Sequence, residues 1–275
     1  MPRTYRQRLG RLLPALPLWA AIAAAASPAG QPDFEQAFGE YGGCALLLTR
    51  DRHLESRFEF GPEHCTLPQS PCSTFKIPNA MIALQEGVVA GPDARKAWDG
   101  TEHERAVNNR DHTLASAVEH SVVWYFQALA RDTGEQRMQQ WLERLEYGNR
   151  DLSAGIDQFW LGSSLRVSPH QQLELLVSLK HQTLPFRPDV QQAMHEMLVH
   201  DTDLPGTLHG KTGSCRGADG APDHGWFIGW IDWHAKAERN PTTTWFVINI
   251  SGDGAWGWQA RPIALQLLAT QQPGD

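Results

Sequence analysis

The pattern of apolar and polar positions divides the chain into strand-rich ends and a helical middle. Residues 44–49 are mostly apolar, charged residues follow at 50–52, and residues 54–60 return to a strand-like pattern, which predicts a β-hairpin. Residues 74–86 have apolar positions at helical spacing and stop at Gly87, which predicts an amphipathic helix. Similar patterns predict helices at residues 113–133, 135–145, 169–180 and 189–199, strands at residues 206–211, 225–233 and 244–250, and a closing helix at residues 258–270.

This order of elements predicts one antiparallel sheet assembled from both ends of the chain, with a helical subdomain inserted between them. We therefore expect an α/β (α+β) fold in a single catalytic domain at residues 30–275. Its sheet part is expected at about 30–90 and 201–275, and its helical part at about 91–200. A cleft between the two parts is the expected place for a site. The length of 275 residues, 41% of them hydrophobic, provides a core that needs neither a metal nor a disulfide to hold it.

The first 26 residues have the features of a secretory signal. Four arginines precede an apolar run at residues 12–26, and Ala24, Ala25 and Ala26 are the small residues that a signal peptidase requires. A disordered N-terminus is the alternative. Removing this segment removes the four arginines and changes the net charge from −7 to −11. We therefore expect an acidic, periplasmic protein that has no nucleic-acid partner and, after signal removal, no membrane partner.

Two short motifs carry candidate chemistry. Ser73-Thr-Phe-Lys76 opens the first predicted helix, and its spacing places a hydroxyl and an amine on one helical face, where a neutral amine could accept the serine proton. Lys211-Thr212-Gly213 ends a predicted strand. Taken singly, each has an ordinary alternative: Ser-x-x-Lys arises readily by chance, and Lys211 could be a solvated lysine at a strand end. Gly213 is expected to be glycine because a side chain there would block an extended substrate along the strand edge.

Further segments follow in a fixed order, and together with the first two motifs they resemble the class D, oxacillinase-type serine β-lactamases. The resemblance covers roughly residues 34–271 and implies a fold like that of the serine β-lactamases and penicillin-binding transpeptidases. The matching segments are Ser73-Thr-Phe-Lys-Ile-Pro-Asn-Ala80, Trp98-Asp-Gly100, Ser121-x-Val123, Tyr147-Gly-Asn149, Gly155-Ile-Asp157, Phe159-Trp-Leu161, Lys211-Thr-Gly213 and Gly225-Trp-Phe-Ile-Gly-Trp230.

The resemblance implies that Ser73 is the nucleophile that opens a β-lactam ring, an activity that confers antibiotic resistance. Lys76 would be carboxylated on its side-chain nitrogen by carbon dioxide or bicarbonate and serve as general base, with no other cofactor. An uncarboxylated amine is one alternative base; a glutamate acting through water is another, but residues 149–165 contain none. An apolar cage around the amine is expected, because desolvation favours neutral lysine. We assign that cage to Phe75, Val123, Trp160 and Leu161, with the Trp160 indole donating to the carbamate.

The remaining roles also come from the resemblance. Ser121 and Lys211 would relay a proton to the leaving nitrogen, and the backbone N–H groups of Ser73 and Ser214 would form the oxyanion hole. Thr212, beside Gly213 on the strand, would meet the substrate carboxylate together with a cation. We assign that cation to Arg261, with Arg216 as its rival.

The four cysteines are expected to form disulfides because the protein is exported. The chemistry requires the strand of Lys211 to run beside the nucleophile helix, and some related class A enzymes have a disulfide in this place. We therefore predict Cys72–Cys215, with Cys44–Cys65 pairing across the first hairpin. The twelve histidines show no metal-ligand spacing, so we predict surface histidines and no metal.

Two other functions use the same motifs. A penicillin-binding protein or D,D-peptidase would hydrolyse the antibiotic very slowly, and a β-lactam-sensing domain would acylate and then signal. A sensor needs a membrane-embedded N-terminal region, whereas a cleavable signal is predicted here. We therefore favour a hydrolase that acts on a small-molecule β-lactam, as a monomer or a homodimer.

Overall fold

The structure is a computed structural model that describes residues 30–217, 220–234 and 241–273. The predicted signal at residues 1–26 lies outside the described residues. Among the described residues, no helix is both long enough and apolar enough to span a membrane.

A six-stranded antiparallel sheet forms the centre of the described fold, in the order β2-β1-β8-β7-β6-β5. Both ends of the chain contribute strands, which confirms the predicted architecture, and β3 and β4 form a separate small pair. The strands are β1 (Gly42–Arg50), β2 (Glu55–Phe60), β3 (Arg95–Lys96), β4 (His112–Thr113), β5 (Val199–His200), β6 (Gly206–Arg216), β7 (Pro222–Trp233) and β8 (Thr242–Ser251).

Helices cover both faces of this sheet. Alternate residues of a strand point to opposite faces, so Leu46 joins the core shared with the helical part, whereas Leu47 joins the core beneath the terminal helix. The helices are α1 (Phe34–Phe38), α2 (Pro62–Thr66), α3 (Lys76–Gln85), α4 (Leu114–Glu119), α5 (Val123–Thr133), α6 (Glu135–Arg144), α7 (Pro169–Lys180), α8 (Pro188–Met197) and α9 (Gly257–Ala269).

Two predicted helices differ from the structure at functional positions. The single helix predicted at residues 113–133 is wrong, because the chain breaks between α4 and α5 at Ser121, whose φ of 58° lies in the left-handed region. The helix predicted at 74–86 begins with a 3-10 turn at Cys72–Phe75, and α3 follows it. Both differences involve the segments that carry the candidate serines.

Both predicted disulfides are present. Cys44–Cys65 ties β1 to α2, with the two Cα atoms 5.0 Å apart. Cys72–Cys215 ties the turn before α3 to the end of β6, with the Cα atoms 5.6 Å apart and the two residues 143 positions apart in sequence. Closing so long a loop reduces the entropy of the unfolded chain, a contribution of about 5 kcal/mol. This bond fixes the segment of Ser73 against the strand of Lys211.

Candidate active site

Ser73 and Lys76 face each other across one turn at the start of α3. The 3-10 turn carries Ser73, and Lys76 Nζ lies 2.6 Å from Ser73 Oγ. Cys72, directly before the serine, has a left-handed φ of 45°, a conformation that costs a non-glycine residue about 1–3 kcal/mol and is typical of functional sites. The disulfide to Cys215 holds the residue in that conformation.

Burial controls the charge state of Lys76. Its side chain is 0% exposed, and desolvation, followed by the charges of Lys211 and Arg105, holds its pKa well below the usual value for lysine. The pKa of a group measures the relative free energies of its two protonation states. At this position the environment therefore favours the neutral amine.

Aromatic side chains form much of the wall around this amine. Phe75 packs against Trp160 at 5.6 Å and against Phe159 at 5.0 Å between ring centroids. The ring of Phe126, on α5, lies 5.6 Å from Lys76 Nζ. Phe126 was missing from the predicted cage, although its spacing of three residues from Val123 places both on one face of α5. Val123 and Leu161 are half-buried.

The indole nitrogen of Trp160 is a buried donor with no partner among the described residues. Leaving such a donor unpaired costs about 1–3 kcal/mol. An acceptor that reached this nitrogen would remove that cost.

Ser121 and Lys211 form the second serine–lysine pair. The left-handed conformation of Ser121 ends α4 and turns its hydroxyl toward β6, where Oγ lies 2.9 Å from Lys211 Nζ. The Lys211 amine also donates to the carbonyl of Thr212 at 3.1 Å. Burial first and the charge of Arg105 second lower the pKa of Lys211 to about 7. Near neutral pH this amine therefore exists in both protonation states and can hold or release a proton.

The free edge of β6 lies beside these groups. Gly210 N donates to Leu198 O at 2.8 Å, on the side of β5. Backbone N–H groups two residues apart on a strand point the same way, so those of Thr212 and Ser214 face this edge beyond the end of β5. The Ser214 N–H therefore points out of the sheet edge, where it can donate to an oxyanion. The Ser214 hydroxyl is used elsewhere, since it accepts from Gly257 N at 2.9 Å.

Glycine at position 213 has a physical reason that the sequence did not reveal, while its predicted effect on an extended substrate stays a prediction. A Cβ there would lie 2.9 Å from Pro71 O and 3.2 Å from Thr74 N, so it would collide with the backbone of the nucleophile turn itself. Gly213 lets β6 pack directly on the segment that carries Ser73. This close approach brings the two lysine motifs together.

Ser70 is a buried residue that sequence reasoning missed. Its hydroxyl donates to Trp160 O and accepts from Gly162 N, each at 3.0 Å. Its carbonyl accepts from the indole of Trp226 at 2.9 Å and from His224 at 2.8 Å. Ser70 therefore joins the nucleophile turn to the sheet and to the loop that carries Trp160. No local pattern distinguishes this serine from others, because every partner is distant in sequence.

The segment Tyr147-Gly148-Asn149 shapes that loop. Gly148 has a φ of 54°, and a Cβ would lie 1.9 Å from Arg166 O. Glycine is therefore required for the segment at Gly148 to lie against the segment at Arg166. Asn149 donates to Ser164 O at 2.8 Å and accepts from Arg166 N at 2.9 Å. Tyr147 packs on Phe75 at 5.7 Å.

The two arginines considered for the substrate carboxylate have different surroundings. Arg261, in the second turn of α9, donates to Asp201 O at 2.7 Å. The pKa of His200 is lowered mainly by burial, and the charges of Lys211 and Arg261 lower it further. Arg216 is paired with Glu104 at 3.0 Å and lies over the ring of Trp256 at 4.9 Å. Arg216 is therefore already neutralised by a carboxylate, and Arg261 is held by a neutral carbonyl.

The prediction of surface histidines is wrong for several of them. His112, His209 and His224 are buried. Ring nitrogens of all three form hydrogen bonds with backbone carbonyls, and His112 also bonds to the Ser116 hydroxyl. His224 lies near both Cys72 and Cys215, but those two sulfurs are bonded to each other.

Comparisons with known proteins agree with this geometry. The family described as the penicillin binding protein transpeptidase domain matches residues 28–268, so the chain belongs to that class of fold. It is 40% identical to the probable β-lactamase YbxI of Bacillus subtilis (strain 168), over 81% of this chain and 79% of that protein. A solved class D β-lactamase from Bacillus subtilis is 38% identical, with a TM-score of 0.78 over 87% of this chain and 95% of that one. The protein is a member of the class D β-lactamase family.

The same fold occurs in a receptor. The C-terminal domain of the Bacillus licheniformis BlaR penicillin-receptor is 28% identical, with a TM-score of 0.79 over 88% of this chain and 96% of that one. Fold similarity alone therefore does not separate a hydrolase from a sensor.

The contact at Gly213 generates a testable expectation. Gly213→Ala should reduce kcat by about a hundredfold or more, because its methyl group displaces the turn that holds Ser73, and small misplacements of reacting groups have effects of this size. Gly91→Ala is the matched control, since nothing lies within 4 Å of a Cβ there and its φ is not left-handed. Steady-state kinetics of both variants would be compared; equal activity of the two would contradict the argument.

Proposed function

We propose that this protein hydrolyses the β-lactam ring of penicillin-type antibiotics through an acyl-enzyme on Ser73. The observation that carries the proposal is the pair of buried serine–lysine contacts, Ser73 with Lys76 at 2.6 Å and Ser121 with Lys211 at 2.9 Å. A neutral lysine beside Ser73 can accept the hydroxyl proton during attack, and the protonated form of Lys211, the pKa of which is lowered to about 7, can supply a proton through Ser121 to the leaving nitrogen.

Acylation begins when Ser73 Oγ attacks the lactam carbonyl carbon and loses its proton to the side chain at position 76. The developing oxyanion is bound by the backbone N–H groups of Ser73 and Ser214. The bond between the carbonyl carbon and the lactam nitrogen then breaks. The nitrogen takes a proton from Ser121 Oγ, which Lys211 replaces, since the two atoms are within hydrogen-bonding distance. The side chain at position 76 then loses its proton to solvent, and Lys211 regains one. In deacylation the freed base at position 76 takes a proton from water, the water oxygen attacks the ester carbonyl carbon, the bond from that carbon to Ser73 Oγ breaks, and the proton passes to Oγ as the acid leaves.

Carboxylation of Lys76 fits the residues that surround it. The modification needs a neutral amine, and burial with two nearby cations favours that form. The unpaired Trp160 indole donor suits an anionic acceptor at this place. When bound, the carbamate supplies an oxygen base in a pocket otherwise lined by aromatic and aliphatic side chains. Phe75, Phe126 and Leu161 exclude water from it.

Substrate binding is assigned to the open edge of β6. Thr212 and Arg261 bind the carboxylate that these antibiotics carry, and the half-buried Val123 and Leu161 contact the ring system. Trp160, at 0% exposure, serves the pocket of Lys76 instead. Export to the periplasm through the predicted signal would bring the enzyme to antibiotic before it reaches its targets. We expect the protein to act as a monomer or a homodimer.

The first experiment separates a hydrolase from a receptor or a D,D-peptidase. With a chromogenic cephalosporin, we expect continuous turnover by the parent protein and none by Ser73→Ala, because only the parent forms and hydrolyses the acyl-enzyme. Product would be followed spectroscopically past several equivalents. A burst of one equivalent followed by no turnover would contradict the proposal.

The second experiment tests the modified lysine. In degassed, mildly acidic buffer the carbamate nitrogen of Lys76 gains a proton and releases carbon dioxide, which leaves an uncarboxylated amine. Activity should therefore fall and then recover when bicarbonate is added. Trp160→Phe keeps an aromatic wall but removes the indole donor, and it should need about tenfold more bicarbonate for half-maximal recovery.

Trp141→Phe is its matched control, because that indole donates to Glu86 outside the site. Bicarbonate titrations of the three proteins at one pH provide the measurement. Recovery at the same bicarbonate concentration in Trp160→Phe as in the parent would remove Trp160 from this role.

A further inference from the structure

Arg105 is an exposed cation that belongs to neither lysine motif but is bonded to the peptide before Ser121. It is an exposed residue at the start of the short 3-10 turn Ala106–Asn108. Its Nη1 donates to the carbonyl of His120 at 2.9 Å. His120 precedes Ser121, the hydroxyl of which contacts Lys211. The guanidinium is therefore bonded to the peptide unit that links His120 to Ser121, a member of the proposed proton relay.

The charge of Arg105 has no partner in the described part of the chain. Its sequence neighbour Glu104 pairs with Arg216 instead, and Arg105 forms no ion pair with any carboxylate of the described residues. The hydrogen bond to a neutral carbonyl orients the guanidinium without neutralising it. Arg105 thus retains both charge and unused donors for an anionic ligand.

The charge of Arg105 also acts on both lysines of the site. Arg105 contributes to the lowered pKa of both Lys76 and Lys211, whereas the described effect of the Arg261 charge is on His200. The hydrogen bonds give the position: the guanidinium lies on the carbonyl of the residue before Ser121, and Ser121 contacts Lys211, so an anion bound at Arg105 would lie near this end of the proton relay.

The chemistry of the substrate identifies that anion. In penicillins the carboxylate is attached to the carbon next to the lactam nitrogen. If Ser121 protonates that nitrogen, as the proposed function requires, the carboxylate must lie in the immediate surroundings of Ser121. Resting on that proposed function, we propose that Arg105 binds the carboxylate of the β-lactam from the helical side of the cleft, opposite Thr212 and Arg261.

The test compares a free acid with its ester. Arg105→Gln removes the charge but keeps an amide donor for the His120 carbonyl. The measured quantity is the acylation rate constant divided by the dissociation constant of the non-covalent complex. With benzylpenicillin, we expect this ratio to fall about tenfold or more. With benzylpenicillin methyl ester, which has no carboxylate charge, the ratio should change less than about threefold. Arg110→Gln, an exposed arginine on the same segment, is the matched control and should alter neither rate.

The outcomes distinguish carboxylate binding by Arg105 from a structural role and from no role. A loss confined to the acid supports carboxylate binding. An equal loss with both compounds shows that Arg105 only holds the peptide before Ser121, and no loss with either shows no role; both overturn the inference. Arg105→Ala is measured as well, with thermal unfolding of each variant, so that a folding defect is recognised. If the parent protein is acylated by neither compound, the proposed function fails, which is distinguishable from failure of Arg105 alone.

Discussion

The burial of the Lys76 amine beside Ser73 is the constraint on which the site depends. A lysine that is 0% exposed loses the hydration that stabilises its charge, and a second buried lysine, Lys211 at 3% exposed, adds repulsion. No carboxylate of the described residues pairs with either amine. The same arrangement that makes both lysines costly to protonate provides a base beside Ser73 and, beside Ser121, a lysine that can both give and take a proton near neutral pH.

Such a site needs support from distant parts of the chain, because its members come from separate elements. Ser70 joins the nucleophile turn to the loop of Trp160 and to β7 by hydrogen bonds, and Cys72–Cys215 joins it to β6 covalently. Gly213 permits direct contact between backbones at the same place. Cys72 and Ser121 both have left-handed φ values beside the reacting groups, and such conformations persist where the surrounding structure fixes them.

Much of this was predictable from the sequence, since strand and helix patterns at the chain ends and the spacing of the two lysine motifs are local signals. The resemblance supplied the roles of Ser121 and Trp160 and pointed to the pairing of Cys72 with Cys215. What was missed depends on tertiary contacts. No glycine or proline marks the break at Ser121 in the sequence. Phe126 meets the Lys76 amine only when α5 packs beside α3, and Arg105 meets the peptide before Ser121 only in the folded chain. His224 is buried because the Ser70 carbonyl, far away in sequence, accepts its hydrogen bond.

The central claim is that a buried, neutral Lys76 accepts carbon dioxide, and carbon-13 NMR of the resting protein in labelled bicarbonate tests it without reference to activity. The account predicts one protein-bound carbamate signal that disappears reversibly on mild acidification and is absent from Lys76→Ala. Because that variant could alter packing, Lys180→Ala, which removes a lysine paired with Asp232 away from the two serine–lysine pairs, should retain the signal. A parent protein without this signal, or a signal that persists in Lys76→Ala, would contradict the account.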